Sequence, residues 1–288
     1  MLPVLVHGAG HILGWLVPIF SRPLLNLFIQ TYDYTFSLHK EWIFLRRSRW
    51  TKVKALYIIT RYIPIVLIAV DLYLNLTPNQ NPNKCHIIIS IYSYSGLISL
   101  TCSECMFVLR TYALWNRNRI LLVAMLSALV AVIGASSGIR FANLADSNVT
   151  TSAIPGIAGC YWTSRSIQFS IAFILLFVFQ LGLVSLTLIH VIQSWRMSTG
   201  HLYAILVNHN IFYYACGLFL SAGNILVPIL ISDPACYSLL DDLQVCIIAI
   251  LATRMHLHLW HTDQHAGYDT DALVWVSLSD MSPGDLAP

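Results

Sequence analysis

Long apolar stretches recur along this chain of 288 residues, and their length restricts the fold more than any other feature. An α-helix rises about 1.5 Å per residue, so roughly 20 apolar residues cross the ~30 Å hydrocarbon layer of a bilayer. We predict an all-α bundle of seven transmembrane helices over residues 23–260. The predicted helices are Pro23–Leu45, Val53–Asn75, Ile87–Tyr112, Ile120–Phe141, Ile167–Gln193, Leu202–Ile231 and Tyr237–Trp260.

The overall composition supports lipid as the solvent of this bundle. The chain is 57% hydrophobic and 10% charged, whereas a soluble domain carries about 25% charged residues. The net charge of +3 is spread along the chain, and nucleic acid requires a concentrated basic face. We therefore expect a lipid bilayer and no nucleic acid as a partner, and a multi-pass protein of the plasma membrane or an endomembrane.

Two terminal segments lie outside the predicted bundle. Residues 1–22 are apolar but contain Gly8, Gly10, Gly14 and Pro18. They lack the basic start of a signal peptide. We leave them unassigned, because an interfacial segment and an extra helix both fit this pattern. The tail, residues 261–288, is polar and acidic. We expect it to be disordered or loosely ordered, and cytosolic.

The distribution of basic residues predicts the orientation. The linkers after helices 1, 3 and 5, the tail and the adjoining helix ends hold 11 of the 16 Lys and Arg residues. Cytoplasmic segments of membrane proteins are enriched in Lys and Arg, so the N-terminus is expected outside and the C-terminus in the cytosol. These 11 residues are Lys40, Arg46, Arg47, Arg49, Lys52, Lys54, Arg110, Arg117, Arg119, Arg196 and Arg254.

Two features of the opposite side agree with that orientation. The sequon Asn148-Val-Thr150 would lie in the lumen, where Asn148 can be glycosylated. Cys85 and Cys160 would lie there too, in a compartment that permits disulfides. We hypothesise a Cys85–Cys160 bridge, with Cys236 as a rival partner and two free thiols as the alternative.

Ionisable residues inside predicted helices are the first candidate site. Charges in hydrocarbon cost a few kcal/mol each and normally face the bundle and find partners. Arg61 and Glu104 both lie about 12 Å from the cytoplasmic face, and Asp33 lies about 18 Å from it. We predict a network of Asp33, Arg61 and Glu104. It is either a structural clamp or a switch or ion-coupling site.

Three further acids lie near the outer ends of helices 2 and 7. They are Asp71, Asp241 and Asp242. Asp241 and Asp242 can cap the start of helix 7 and reach water, as acids near a helix N-terminus do. The alternative is a cation or amine site at the outer mouth of the bundle.

The inner end of helix 3 carries Arg110 and Tyr112, followed by Trp115 and two more arginines. An aromatic residue with a cationic cluster is typical of a helix that leaves the bilayer on the cytoplasmic side.

Enzyme signatures are absent from the sequence. No phosphate-binding loop, dinucleotide-binding glycine motif or hydrolase nucleophile motif occurs. Cys102-x-x-Cys105 has no second pair, and the histidines His256, His258, His261 and His265 lack the zinc-protease pattern. We expect no catalytic residue, no metal and no cofactor, and a non-enzymatic protein.

Several motifs resemble a known family. Tyr32-Asp-Tyr34, Glu41-Trp42 and Thr60-Arg-Tyr62 flank a basic linker. This pattern, over about residues 30–75, resembles the N-terminal domain of unknown function, family number 6533, of basidiomycete fungal membrane proteins. The resemblance implies a multi-pass protein of about seven helices and implies no activity.

The resemblance continues along the chain. Leu109-Arg-Thr-Tyr-Ala-Leu-Trp115-Asn-Arg117 and Thr253-Arg-Met255 followed by Leu257-His-Leu259 are similar to later stretches of that family. His39-Lys40 departs from its usual acid–base pair, and Val207-Asn-His-Asn210 stands where it has Arg-Asp-Gly.

Three function classes fit these observations to different degrees. A receptor-like heptahelical protein fits the number of spans, the orientation and the predicted bridge. Arg110, however, lacks an adjacent acid, and a fold by itself does not give a function. A transporter or channel is the alternative, and it requires a water-filled path between Asp33, Arg61 and Glu104. An intramembrane hydrolase ranks lowest, because its acids and histidines fall at opposite ends of helix 7.

Overall fold

The computed structural model describes residues 2–48, 50–76, 82–115, 118–146, 149–151, 160–162, 166–195, 201–230 and 234–279. The described residues form an all-α bundle with one small two-stranded sheet. The elements are α1 Leu2–Arg47, α2 Lys52–Leu76, α3 Pro82–Leu114, α4 Arg119–Asp146, β1 Val149–Thr151, β2 Cys160–Trp162, α5 Ser166–Trp195, α6 His201–Leu230 and α7 Pro234–Ser279.

The helices pack as a closed ring in chain order. Each helix contacts the next, and α7 returns to contact α1. Helix α3 also contacts α5 and α7, and α7 also contacts α2, so α3 and α7 lie toward the middle of the bundle. Below, the "α1–α2 loop end" is the end of the bundle at Arg47 and Lys52, and the "α2–α3 loop end" is the end at Asn75 and Asn83.

Helices α2 to α6 begin and end within about five residues of the predicted positions. Helices α1 and α7 differ, because each has 46 residues and so is about 69 Å long. Helix α1 includes nearly all of the unassigned segment 1–22. Helix α7 continues past Trp260 to Ser279, where we expected a loose tail, while residues 280–288 lie outside the described residues.

The long α7 has a local cause in the sequence. No proline occurs between Pro234 and Pro283, and an established helix adds residues at little cost until a breaker intervenes.

The loop between α4 and α5 contains the antiparallel pair of β1 and β2. Val149 pairs with Trp162, and Thr151 pairs with Cys160. Strand β1 contacts α3, which brings part of this loop to the α3 helix.

Six helical segments are long and apolar enough to cross a membrane, judged on the described residues. They are Lys52–Asn75, Asn83–Leu114, Arg119–Ile139, Ile171–Gln193, Ile211–Leu230 and Leu239–His261. The span in α7 is the most buried of the six, and the span in α4 is the least buried.

Helix α1 is polar on its buried face and apolar on its exposed face. The buried residues recur every three or four positions: Asn26, Gln30, Asp33, Ser37 and Glu41. The opposite face carries Leu24, Leu25, Leu27, Phe28, Tyr32, Phe36, Leu38 and Trp42, all exposed. This is the reverse of a helix on a water-soluble protein, and the buried polar residues lower the mean hydropathy of α1.

The exterior of the other helices is also apolar. Large hydrophobic side chains are exposed on α2 through α6, with Phe219 79% and Val130 67% accessible. Soluble monomers rarely expose apolar patches of more than a few hundred Å². A hydrocarbon environment accounts for such an exterior, whereas water does not.

Candidate functional site

The bundle interior holds three polar clusters at successive levels. The ion cluster, toward the α1–α2 loop end, comprises Asp33, Ser37, Glu41, Arg61 and Arg254. The middle cluster comprises Glu104, Gln180, Ser221, Asn224 and Gln244. The acid cluster, at the α2–α3 loop end, comprises Asn26, Asp71, Tyr92, Asp241 and Asp242.

Arg61 of α2 is the centre of the ion cluster. Its Nη1 donates to Asp33, its Nη2 donates to the Ser37 hydroxyl, and its Nε donates to Glu41 Oε2 at 3.2 Å. The three partners are spaced by four residues on α1, which puts them on one helix face. Arg61, Asp33 and Glu41 are all almost fully buried, so the arginine neutralises charges that have no access to water.

Asp33 also binds a second arginine. Its Oδ1 accepts a hydrogen bond from Nε of Arg254 on α7, while its Oδ2 accepts one from Arg61. The Arg254 side chain is 42% exposed and the Arg61 side chain is 2% exposed. The Asp33 carboxylate thus joins α1, α2 and α7 through one buried contact and one partly exposed contact.

Aromatic rings pack between the ion cluster and the α1–α2 loop end. The centroid of the Phe44 ring lies 4.9 Å from the ring centroid of Tyr57, 5.6 Å from that of His256 and 5.3 Å from that of Trp260. Buried Lys54 donates from Nζ to the Leu45 and Ser48 carbonyl oxygens at 2.7 and 2.9 Å. A lysine at a helix C-terminus satisfies carbonyls that the helix leaves open.

The middle cluster is a chain of side-chain hydrogen bonds across α3, α5, α6 and α7. Gln180 Nε2 donates to Glu104 Oε1 at 2.6 Å, and Ser221 Oγ donates to Gln180 Oε1 at 2.8 Å. Gln244 Nε2 donates to Ser221 Oγ at 2.8 Å, and Asn224 Nδ2 donates to Gln244 Oε1 at 2.6 Å. All five side chains are buried.

Glu104 keeps one oxygen without a partner. Its Oε2 is buried and makes no hydrogen bond within the described part of the chain. Glu104 lines a cavity of about 30 Å³ between α3, α4 and α5, whose other lining residues are mostly apolar. An unsatisfied buried acceptor is costly.

The acid cluster surrounds a second cavity, also of about 30 Å³. Asp71, Asp241 and Asp242 all line it, as do Asn26 and Tyr92. The Tyr92 hydroxyl donates to Asp242, and Asn75 Nδ2 donates to Asp71 Oδ1 at 3.0 Å. The three acids Asp71, Asp241 and Asp242 that the sequence singled out therefore line one cavity.

The end of α3 near Leu114 packs against α6. The Thr111 and Tyr214 hydroxyls lie 2.9 Å apart, and Tyr214 also donates to the Phe107 carbonyl oxygen at 3.1 Å. Tyr112 is partly buried against the core. Two guanidinium nitrogens of Arg110, Nε and Nη1, are buried without a partner in the described residues.

The structure describes the side chains of five of the seven cysteines. Cys102, Cys105, Cys216 and Cys246 are free. Cys85 is fully buried at the start of α3 and is not among these free thiols. The side chains of Cys160 and Cys236 and the whole of Asn148 lie outside the described residues. The bridge, its rival partner Cys236 and the glycosylation therefore remain predictions. No group of three His, Cys, Asp or Glu residues able to hold a metal occurs in the described part of the chain.

The predicted network of Asp33, Arg61 and Glu104 is divided between two clusters. Arg61 contacts Asp33, whereas Glu104 binds Gln180. Glu104 and Arg61 do not meet, because the guanidinium of Arg61 is directed at α1 and its donors are taken by Asp33, Ser37 and Glu41.

Sequence reasoning missed several members of the clusters. Glu41, Ser37 and Arg254 were not assigned to a site, although the spacing of Asp33, Ser37 and Glu41 is a signal for one helix face. The remaining missed residues are Asn26, Tyr92, Gln180, Ser221, Asn224 and Gln244. Most of these are isolated polar residues within apolar runs, which is the pattern that marks helix–helix contacts in a membrane.

A bundle with six candidate spans, an apolar exterior and polar clusters inside is a multi-helix integral membrane protein. Residues 27–66 match a family of unknown function, DUF6533. The matched stretch covers the polar face of α1 from Gln30 to Glu41 and the Arg61 that binds it. No curated protein matches the chain. The basidiomycete origin implied by the resemblance is not tested by the match and stays a prediction.

Proposed function

We propose that this chain is a receptor-like sensor of seven transmembrane helices, with its N-terminus outside and its C-terminus in the cytosol. The observation that carries the proposal is the sharing of Asp33 between Arg61 and Arg254. The two arginines lie on different helices, and only Arg254 has access to its surroundings.

The seventh span in this proposal is α1. Its exposed face is mostly apolar from Leu24 to Leu38, and its acids face the bundle, as ionisable residues do inside a bilayer. Helix α1 is not among the six apolar spans, because the polar side chains on its buried face lower its mean hydropathy. Asp33, Ser37 and Glu41 bind arginines of α2 and α7, and all the polar side chains of that face are buried away from lipid.

The orientation and the lumenal features complete the proposal. The excess of Lys and Arg at the α1–α2 loop end supports a cytosolic location for that end. The contact of β1 with α3, together with the pairing of β1 with the strand of Cys160, supports a Cys85–Cys160 bridge. Glycosylation of Asn148 follows from the same orientation.

Sensing requires two conformations whose populations a ligand can shift. A carboxylate held by two arginines has a second arrangement available in which the exposed contact opens and the buried one persists. Opening the Arg254 contact would free α7 from α1 while Arg61 still neutralises Asp33 and Glu41. The Arg254–Asp33 contact of the ion cluster can therefore open without leaving a buried charge unpaired.

Loss of the Arg254 contact is expected to change the spacing of helix ends. Spin labels at Arg46 of α1 and Gln193 of α5, both exposed, report that spacing by pulsed electron resonance when Cys236 and the four free cysteines of the described residues are replaced by alanine. We expect Arg254→Gln to shift the distance distribution toward a second population, because the partly exposed Arg254–Asp33 contact is removed. Lys40→Gln is the matched control, since it removes an exposed cation outside the cluster. Identical distributions in Arg254→Gln and the unmodified protein would overturn the switch.

Transport is the second candidate function, and the three polar clusters at successive levels favour it. The middle cluster, however, is closed by direct hydrogen bonds between side chains, so an ion would have to break this chain to pass. An ion flux into proteoliposomes would favour transport over sensing if the substitution Glu104→Gln abolished that flux.

An intramembrane hydrolase fits the geometry least well. Asp242 and His256 are about 14 residues apart on α7, which separates them by about 21 Å along the helix. An acid and a base at that distance do not act on one substrate. We accordingly propose a non-enzymatic role.

A further inference from the structure

We propose that the cavity between α3, α4 and α5 binds the hydroxyl end of an unbranched alcohol dissolved in the bilayer, with Glu104 as its hydrogen-bond partner. This inference goes beyond the sensing role, because it concerns binding alone and does not rest on the Arg254–Asp33 contact. It rests on a buried polar atom without a partner, a cavity beside that atom, and an apolar rim that opens the cavity toward lipid.

Glu104 is the observation that points to a ligand. Its side chain is 1% exposed, and it lines the cavity. Gln180 donates to Oε1 at 2.6 Å, whereas Oε2 is buried and has no partner within the described part of the chain. A buried polar atom without a hydrogen bond is unfavourable, so a molecule that supplies a hydrogen bond to Oε2 binds with a gain.

The chemistry of the Glu104 carboxyl group selects a hydroxyl as that partner. An ionised carboxylate oxygen needs a donor, whereas the O–H of a carboxylic acid needs an acceptor. A hydroxyl group is both a donor and an acceptor, so it satisfies Oε2 in either protonation state of Glu104. An ammonium group satisfies only the carboxylate, and a charged group is costly in the hydrocarbon layer. Neither limit applies to a neutral alcohol.

The lining of the cavity predicts an apolar body behind the hydroxyl. Apart from Glu104, only Thr101 and Ser136 are polar among the described lining residues. The others carry hydrocarbon side chains, and contact with these favours CH₂ groups of a ligand because apolar surface is removed from water.

The cavity is reached from the lipid side of the bundle. Leu97 of α3, Val132 of α4 and Ala172 of α5 line the cavity and are partly exposed, whereas Glu104 is buried. The exterior of these helices is apolar, and the span in α4 is the least buried of the six. A molecule dissolved in the bilayer therefore reaches this rim without passing through water.

The size of the cavity limits which part of the ligand it holds. Its volume is about 30 Å³, which exceeds the roughly 10–15 Å³ that one water molecule requires. We assign only the terminal CH₂OH group of the ligand to this space. The rest of an unbranched chain lies outside the rim, along the lipid-facing sides of α4 and α5.

Photolabelling of the full-length protein in phosphatidylcholine vesicles tests the proposal. The probe is 1-octanol with a diazirine on its alkyl chain, and mass spectrometry locates the labelled residues. We expect label on the cavity-lining stretches of α3, α4 and α5. Excess 1-octanol should displace it, and octane should compete at least about fivefold less well, since it lacks the hydrogen bond to Glu104. Equal displacement by both competitors, or no displaceable label in these stretches, would overturn the proposal.

Ala172→Leu separates binding in the cavity from general partitioning into the membrane. The larger side chain fills the cavity and leaves the Glu104–Gln180 hydrogen bond in place, so we expect the displaceable label to be lost. Ala128→Leu is the matched control, because Ala128 is exposed on α4 and outside the cavity lining; this variant should keep the label. Label that persists in Ala172→Leu, or that is lost equally in both variants, would contradict the site.

The double variant Glu104→Leu, Gln180→Leu tests the role of the carboxyl group. It removes the unpartnered oxygen together with the amide that binds Glu104, and its folding is checked by size-exclusion chromatography. We expect 1-octanol and octane to compete equally in this variant. A preference for 1-octanol that survives the double substitution would show that the hydroxyl does not bind Glu104.

Discussion

Replacing Arg61 with leucine is expected to abolish stable folding of the bundle. The change leaves Asp33 and Glu41 buried and removes the guanidinium that binds both. Among the described residues, Asp33 keeps the partly exposed Arg254 as its partner, and Glu41 keeps the Tyr62 hydroxyl at 3.3 Å. Removing one partner of a buried ion pair costs about 3–5 kcal/mol, a large part of the total stability of a typical protein, about 5–15 kcal/mol. Size-exclusion profiles of a fluorescent fusion and thermal melting in detergent measure the loss.

Arg254→Leu is the matched control for this prediction. It removes the other arginine from the same carboxylate, but this side chain is 42% exposed, so the loss is expected to be about 1 kcal/mol or less. The triple variant Arg61→Leu, Asp33→Leu, Glu41→Leu should recover much of the folded fraction, because no charge is left unpaired. Equal losses of folding stability in Arg61→Leu and Arg254→Leu would show that burial does not determine how much each arginine stabilises the bundle.

The second large effect is expected in the middle cluster on replacing Gln180 with leucine. Gln180 is the donor to Glu104 and the acceptor for Ser221. Without it neither carboxylate oxygen of Glu104 has a partner among the described residues, because Oε2 has none already. Stranding buried polar groups costs about 1–3 kcal/mol for each group. The loss should be visible as a lower melting midpoint and a smaller folded fraction.

The double variant Glu104→Leu, Gln180→Leu tests the reason for that loss. If the cost comes from the stranded carboxylate, the double variant will be more stable than Gln180→Leu alone, with a coupling energy of about 0.5–3 kcal/mol. Additive losses would mean that the two side chains act separately. Thr101→Val, at the cavity beside Glu104, controls for altered packing.

The length and position of the helices were predictable because they depend on local properties. Apolar length, prolines and basic clusters placed α2 to α6 to within a few residues. The grouping of Asp71, Asp241 and Asp242 was also predictable, because they fall near the same ends of α2 and α7. The extent of α7 was not, since residues 261–271 are mostly polar, and the absence of a proline before Pro283 permits a longer helix without requiring one.

The pairing of side chains was only partly predictable. The depth of a residue in the bilayer follows from its position in the sequence, but the direction in which its helix face points does not. Arg61 and Glu104 have similar depths on neighbouring helices, yet Arg61 faces α1 and Glu104 faces α5. The spacing of Asp33, Ser37 and Glu41 carried the missing information, since three polar residues four apart define one face. Gln180 and Gln244 gave no comparable signal, because one polar residue per helix does not identify its partners on other helices.

Topology mapping tests the central claim most directly, since that claim is an odd number of spans with α1 as the first. An epitope is placed before Met1 in one protein and after Pro288 in another, and antibody access is compared in intact and permeabilised cells, together with glycosylation of Asn148. The account predicts that the first epitope is accessible in intact cells, that the second is accessible only after permeabilisation, and that Asn148 carries glycan. Two epitopes on the same side of the membrane would contradict it.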